Sequence, residues 1–202
     1  PNQKSFTATD DFNRLAECDA ILICVPTPLG PHKEPDLSYV ENSTKQIRKT
    51  LKKGQLIILE STTYPGTTDE LLKSILESPI QNNINDVKVD EFSRECDETS
   101  NSSRLTSNSG NATPNSSRLT PNLGNNIQKS YECGTEFFLA FSPEREDPGN
   151  PSFGTKNIPK VVGGVDETSG DLAEALYAEV LDATVRVKNA RTAEASKLME
   201  NI

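Results

Sequence analysis

The sequence has 202 residues, of which 33% are hydrophobic, with no Trp and a formal net charge of -9 from 21 basic and 30 acidic residues. That charge argues against a nucleic-acid partner, and the chain has no run of about 18 apolar residues and no charged-then-apolar leader, so neither a membrane span nor a signal peptide is expected. The length leaves room for a real core, yet the mean hydropathy of -0.58 and the grouping of apolar residues into separated bursts mean that part of the chain does not build one.

Residues 1–18 read as a polar loop leading to a short helix around Phe12, Leu15 and Ala16. The run Ala20–Val25, AILICV, is unbroken and apolar, the pattern of a strand buried on both faces of a parallel sheet. After the loop PTPLGPHKEP, Asp36 is placed to cap a helix with Leu37, Val40, Ile47 and Leu51 on one side, ended by Gly54. A second strand, QLIILE (55–60), precedes the loop STTYPG and a helix from Thr67, where Glu70 three residues on has capping-box spacing and Leu71, Leu72, Ile75 and Leu76 form the apolar face. This alternation with short connections is the rhythm of an α/β, doubly wound parallel sheet of Rossmann type.

The rhythm stops at 81–132. There NSSRLTSNSGNATP (101–114) is followed by NSSRLTPNLGNNIQ (115–128), a tandem repeat of 14 residues with nine identities. An Asn/Ser/Thr/Gly tract buries too little to offset chain entropy, so a disordered insertion is expected. Order resumes with EFFLAF (136–141), then a strand in PKVVGGVD, a helix ETSGDLAEALYAEVL with Leu172, Leu176 and Val180 on one face, a strand TVRVKN, and a last helix from Thr192. The expected organisation is two parts of one domain, 1–80 and 133–189, separated by the insertion 81–132 and followed at 190–202 by the start of a long helix. Pro1 at the start, Met199 as the only methionine and the abrupt helical end suggest a fragment.

Cys18, Cys24, Cys96 and Cys133 are scattered without a C-x-x-C pair, and His32 is the single histidine, so no metal site is expected and a reduced, cytoplasmic setting fits. Glycosylation-type tripeptides begin at Asn42, Asn101, Asn111 and Asn115, and without a leader they read as chance in an Asn/Ser-rich chain.

In an open α/β sheet, ligands bind beyond the carboxyl ends of the strands. Three strands end in unusual loops: PTP (26–28), STTYPGT (61–67) and SPEREDPGN (142–150). Each alone could be a rigid turn, a helix cap or a solvated acidic loop, while three at equivalent strand ends point to a site. In the last helix Lys197 and Asn201 are four apart and share a face, although Glu194 could equally pair with Lys197.

With CVPTPLG and EPDLSYV, LESTTYPGTT, FSPEREDPGN with IPKVVGG, and AEASKLMEN in this order, the sequence resembles the UDP-glucose/GDP-mannose dehydrogenase family, and most of all its UDP-N-acetylglucosamine 6-dehydrogenase branch. The resemblance implies oxidation of C6 of a UDP-sugar to the carboxylate with NAD as cofactor, through a thioester on a cysteine. It implies that Thr27 and Thr62 line the NAD side of the cleft, that Glu144 works with water in acid/base steps, and that Lys197 and Asn201 stabilise an oxyanion. Arg145 is implied as a substrate contact, Glu146 and Asp147 as loop structure, and a homodimer through the central helix. The family's Gly-rich NAD loop and its nucleophilic cysteine have no counterpart here, so these residues alone are expected to be inactive. A reading from another class is a non-catalytic Rossmann-like binding module.

Overall fold

The computed structural model describes residues 6–30, 34–79, 130–144 and 158–200. All of them fall in one unit that joins Pro1–Ile80 to Lys129–Ile202. The expected insertion lies outside the described residues except at 130–132, where Tyr131 is buried at 4% exposure in the core.

Five strands form one sheet in sequence order: β1 (Ala20–Ile23), β2 (Leu56–Leu59), β3 (Phe138–Phe141), β4 (Lys160–Gly164) and β5 (Thr184–Arg186). β1, β2 and β3 are mutually parallel, β4 runs antiparallel to β3, and β5 is parallel to β4. The sheet is therefore mostly parallel, and the reversal at β4 departs from the all-parallel expectation. Helices α1 (Ser38–Thr50), α2 (Lys73–Glu77) and α4 (Ala190–Glu200) cover one face, and α3 (Glu167–Ala178) covers the other. β2 shows why its sequence is apolar throughout: Ile57 and Leu59 enter the first core, Leu56 and Ile58 the second.

β1 is not buried on both faces as expected. Ile21 and Ile23 are in the core, while Leu22 is 44% exposed, because α3 packs chiefly over β4 and β3, away from the β1 edge of the sheet. The stem of the sheet is tied by Gln55, fully buried, whose amide donates to Leu15 O and Cys18 O at 2.8 Å and accepts from the Lys52 N–H at 3.1 Å. That fixes the 3-10 helix Phe12–Glu17 against the start of β2.

The helix ends also differ from expectation. Asp36 accepts from the Ser38 N–H at 2.9 Å but stands one residue before the N-cap, Leu37. α4 starts at Ala190, two residues early, where the Asn189 side chain accepts from the Thr192 N–H at 2.9 Å. In α3, Leu172 is exposed, Leu176 packs against the core, and the expected third face residue, Val180, lies exposed beyond the end of the helix; the buried stripe is Ser169, Gly170, Ala173 and Tyr177. Small residues face inward because α3 lies almost on the backbone of β4: a Cβ at Gly164 would stand 2.3 Å from the Gly170 nitrogen. On the opposite face a Cβ at Gly163 would meet Asn189 O at 2.3 Å. The pair lets helices approach β4 closely from both sides.

Gly164→Ala should therefore force α3 off the sheet, destabilising the fold by about 2–3 kcal/mol. Urea unfolding followed by far-UV circular dichroism checks this, and an unchanged midpoint would contradict the close approach.

Candidate functional site

The parallel strands β1, β2 and β3 end at one edge of the sheet. An open cleft of about 530 Å³ lies there, bordered by Cys24, Pro26 and Thr27 after β1, Glu60 and Thr62 after β2, and Glu144 after β3. Ser61 holds the first two loops together. Its hydroxyl accepts from the Val25 N–H at 2.8 Å and donates to Val25 O at 2.7 Å. Ser142, fully buried, extends β3 toward the cleft, its N–H donating to Leu59 O at 3.0 Å and its hydroxyl to Val161 O at 2.8 Å.

Because β4 runs backwards, its first residue, Lys160, arrives at this same edge. The Lys160 side chain is 9% exposed, and its Nζ lies 3.2 Å from Glu60 Oε1 and 3.2 Å from Glu144 Oε2. It also stands 5.1 Å from the centroid of the Tyr177 ring on α3, a cation–π contact. Glu60 is engaged on both oxygens: the Tyr177 hydroxyl donates to Oε1, and the Cys24 thiol donates to Oε2 at 3.3 Å. Burial pushes the Tyr177 phenol well above its usual range, and its bond to Glu60 adds to this. Burial, then the charge of Glu60, pushes the Cys24 thiol up to about 11. At neutral pH Cys24 is thus a thiol donor and not a nucleophile.

Behind the cleft, the helix after the Thr62 loop is anchored from a distance. Its first six residues, Thr67–Leu72, are π-helical, and Gly66 at their N-cap has φ 105°. The expected Thr67/Glu70 capping box is absent. Instead Glu194 of α4, fully buried, accepts from the Gly66 N–H at 2.7 Å, the Thr68 N–H at 2.9 Å and the Thr68 hydroxyl at 2.7 Å. Burial pushes the Glu194 carboxyl up, against these hydrogen bonds, which pull it down. Glu194 is therefore not the partner of Lys197. Glu70 faces Arg191, whose guanidinium also bonds Asp69 at 2.6 Å.

Thr27, Thr62 and Glu144 thus share one cleft, the two threonines half-buried and the Glu144 side chain 51% exposed. Lys197 is half-buried on α4 and does not border that cleft. Arg145 and Asn201 lie outside the described residues. Sequence reading missed Glu60, Lys160, Tyr177 and Glu194. The signals were faint: one acid just after the apolar β2, one lysine opening β4, and one acid on a helix of small residues.

The donor set bears on the expected cofactor. Two carboxylates against one ammonium leave the cleft with one negative charge, which repels a pyrophosphate and suits the positively charged nicotinamide ring of NAD. The hydroxyls of Thr27 and Thr62 border the same cleft and have the donor and acceptor capacity that a carboxamide or a ribose would need. The residues present fit the nicotinamide end of the cofactor.

Residues 1–123 match the model of the UDP-glucose/GDP-mannose dehydrogenase family, NAD binding domain. The chain is 28% identical over 194 residues to UDP-N-acetyl-D-glucosamine 6-dehydrogenase of Pseudomonas aeruginosa, covering 96% of this chain and 34% of that protein. It is 31% identical over 186 residues to UDP-N-acetyl-D-mannosamine dehydrogenase of Campylobacter jejuni, covering 92% and 35%. The crystal structure of NDP-N-acetyl-D-galactosaminuronic acid dehydrogenase from Methanosarcina mazei superposes with a TM-score of 0.63 at 28% identity, over 95% of this chain and 30% of that one. The chain spans about a third of the length of these relatives.

Glu194→Ala should strip partners from two buried N–H groups and a hydroxyl, lowering the unfolding free energy by about 3 kcal/mol in chemical denaturation. Alkylation of Cys24 by iodoacetamide, followed by mass spectrometry, should accelerate steadily from pH 7 to 10, since its thiol titrates near about 11. A plateau near pH 9 would show an ordinary thiol.

Proposed function

The chain belongs to the UDP-glucose/GDP-mannose dehydrogenase family, and from that premise we propose that it serves an NAD-dependent nucleotide-sugar 6-dehydrogenase. Its substrate in this reading is UDP-N-acetylglucosamine, oxidised at C6 to the uronic acid for polysaccharide biosynthesis. Residues 1–80 and 133–189 would be two parts of the NAD-binding domain, 81–132 an insertion, and 190–202 the start of a central helix that pairs two copies in the cytoplasm. The observation that carries the reading is the Glu144 carboxylate, half-exposed at the end of β3 in one cleft with Thr27 and Thr62.

Turning a primary alcohol into a carboxylate removes two hydrides and adds one water, so protons must leave at each stage. NAD, when bound, supplies the hydride acceptor. Glu144 is the proton acceptor, alone or through water, and its place at the mouth of the cleft gives it access to both. Thr27 and Thr62 orient the nicotinamide end. Lys197 and Asn201 offer an ammonium and a carboxamide to an oxyanion, and Arg145 contacts the substrate. Cys24, protonated and bonded to Glu60, takes no part in a thioester.

UDP-N-acetylmannosamine is the second reading, favoured by the 31% identity to the Campylobacter jejuni enzyme. The two sugars differ only in configuration at C2, a contact distant from C6 chemistry. An NADH-forming assay of the protein as its gene encodes it, across both acetamido sugars and UDP-glucose, tests the proposal. Turnover is expected with UDP-N-acetylglucosamine, and Glu144→Gln should lower kcat by about 10²–10⁴-fold. A folded protein that turns over none of the three would sink it.

A further inference from the structure

The cluster behind Glu144 holds more charge than stability requires. A buried ammonium needs a carboxylate nearby, and Glu60 already provides one at 3.2 Å. Glu60 is itself fixed, with the Tyr177 hydroxyl on one oxygen and the Cys24 thiol on the other. Tyr177 also places its ring against Lys160. The ammonium is thereby constrained by β2 and α3, and it still makes a second contact, at 3.2 Å, to the carboxylate that projects into the cleft.

Resting on the function proposed above, we infer that Lys160 is a positioning residue for the oxidation: held by Glu60 and Tyr177, it fixes the Glu144 carboxylate at the mouth of the cleft. Glu144 follows the last residues of β3 and is half-exposed, so without a partner its side chain has several rotamers open to it. One charge-assisted hydrogen bond to Oε2 fixes that oxygen, and with it the carboxylate of a residue that borders the cleft. The charged and titratable groups around the ammonium are Cys24, Glu60, Glu144 and Tyr177, one from each of the four elements that meet there. Lys160 acts through Glu144 and touches no reacting atom.

The test is a double-mutant cycle in kcat on the full-length protein, with Lys160→Met, Glu144→Gln and the pair. Lys160→Met is expected to lower kcat by about 10- to 100-fold with little change in KM, the scale of a misplaced catalytic group. In the Glu144→Gln background the same substitution should cost nothing further. If Glu144→Gln is crippled and Lys160→Met multiplies that loss in full, Lys160 is merely structural and the inference falls while the proposed function stands. If Glu144→Gln turns over normally, the role of Glu144 falls and takes the inference with it. Should Lys160→Met leave Glu60 charged and unfold the protein, the cycle is run from Glu60→Leu/Lys160→Met, since a buried pair replaced together by apolar groups is tolerated. In that background, loss of kcat that vanishes with Glu144→Gln supports the inference, and a full additive loss overturns it.

Discussion

A lysine withdrawn from water keeps its charge at low cost only where carboxylates meet it, and Lys160, at 8% exposure, sets the conditions at this end of the sheet. Its carboxylates come from two other strands, Glu60 closing β2 and Glu144 following β3. They can reach it only because β4 enters the sheet in the opposite direction. Had β4 run parallel to β3, Lys160 would stand at the far end of the sheet and Glu60 would be a buried charge without a counter-ion. The reversal of one strand thus converts three ordinary residues into a connected group, and it does so beside the loops that carry Thr27 and Thr62.

The same strand governs how the helices pack. Gly163 and Gly164 offer bare backbone on opposite faces, so α3 and the entry to α4 both come closer than a side chain would permit. On the α3 side this brings Tyr177 down to Glu60 and Lys160. On the other, it seats α4 where Glu194 reaches the turn beyond Thr62. Apolar burial supplies the driving force, at about 1.5–3 kcal/mol for each fully buried aliphatic side chain such as Ile57 or Leu59. The glycines decide where that force brings polar groups together.

These features differ in how far they were written locally in the sequence. The first three strands were legible because AILI, LIIL and FLAF are short, unbroken apolar runs. The pairing direction of β4 was not, since KVVGG reads the same in either orientation. The face of α3 was misread because Leu172 and Val180 look like core, whereas a helix lying on a glycine strand needs Gly170 and Ala173 inward. At the site, the loops PTP, STTYPGT and SPEREDPGN stood out at strand ends, and the family resemblance singled out Thr27, Thr62 and Glu144 within them. Glu60, Lys160 and Tyr177 did not stand out, because each is unremarkable among its neighbours and becomes a set only when β2, β4 and α3 meet. The capping of Gly66 and Thr68 was hidden for a related reason. Its acceptor is 126 residues away in sequence from Thr68, and local pattern favours the nearer Glu70.

That distant cap has a dynamic consequence. A surface loop usually opens by itself, on a timescale set by its own few contacts. The turn at Gly66–Thr68 cannot, because lifting it leaves the Glu194 carboxylate buried with its three donors gone. Nor can α4 peel away without orphaning two backbone amides of that turn. Opening of the turn and displacement of α4 are therefore energetically coupled through Glu194. The turn that follows the Thr62 loop is thus braced by the same helix that carries Lys197.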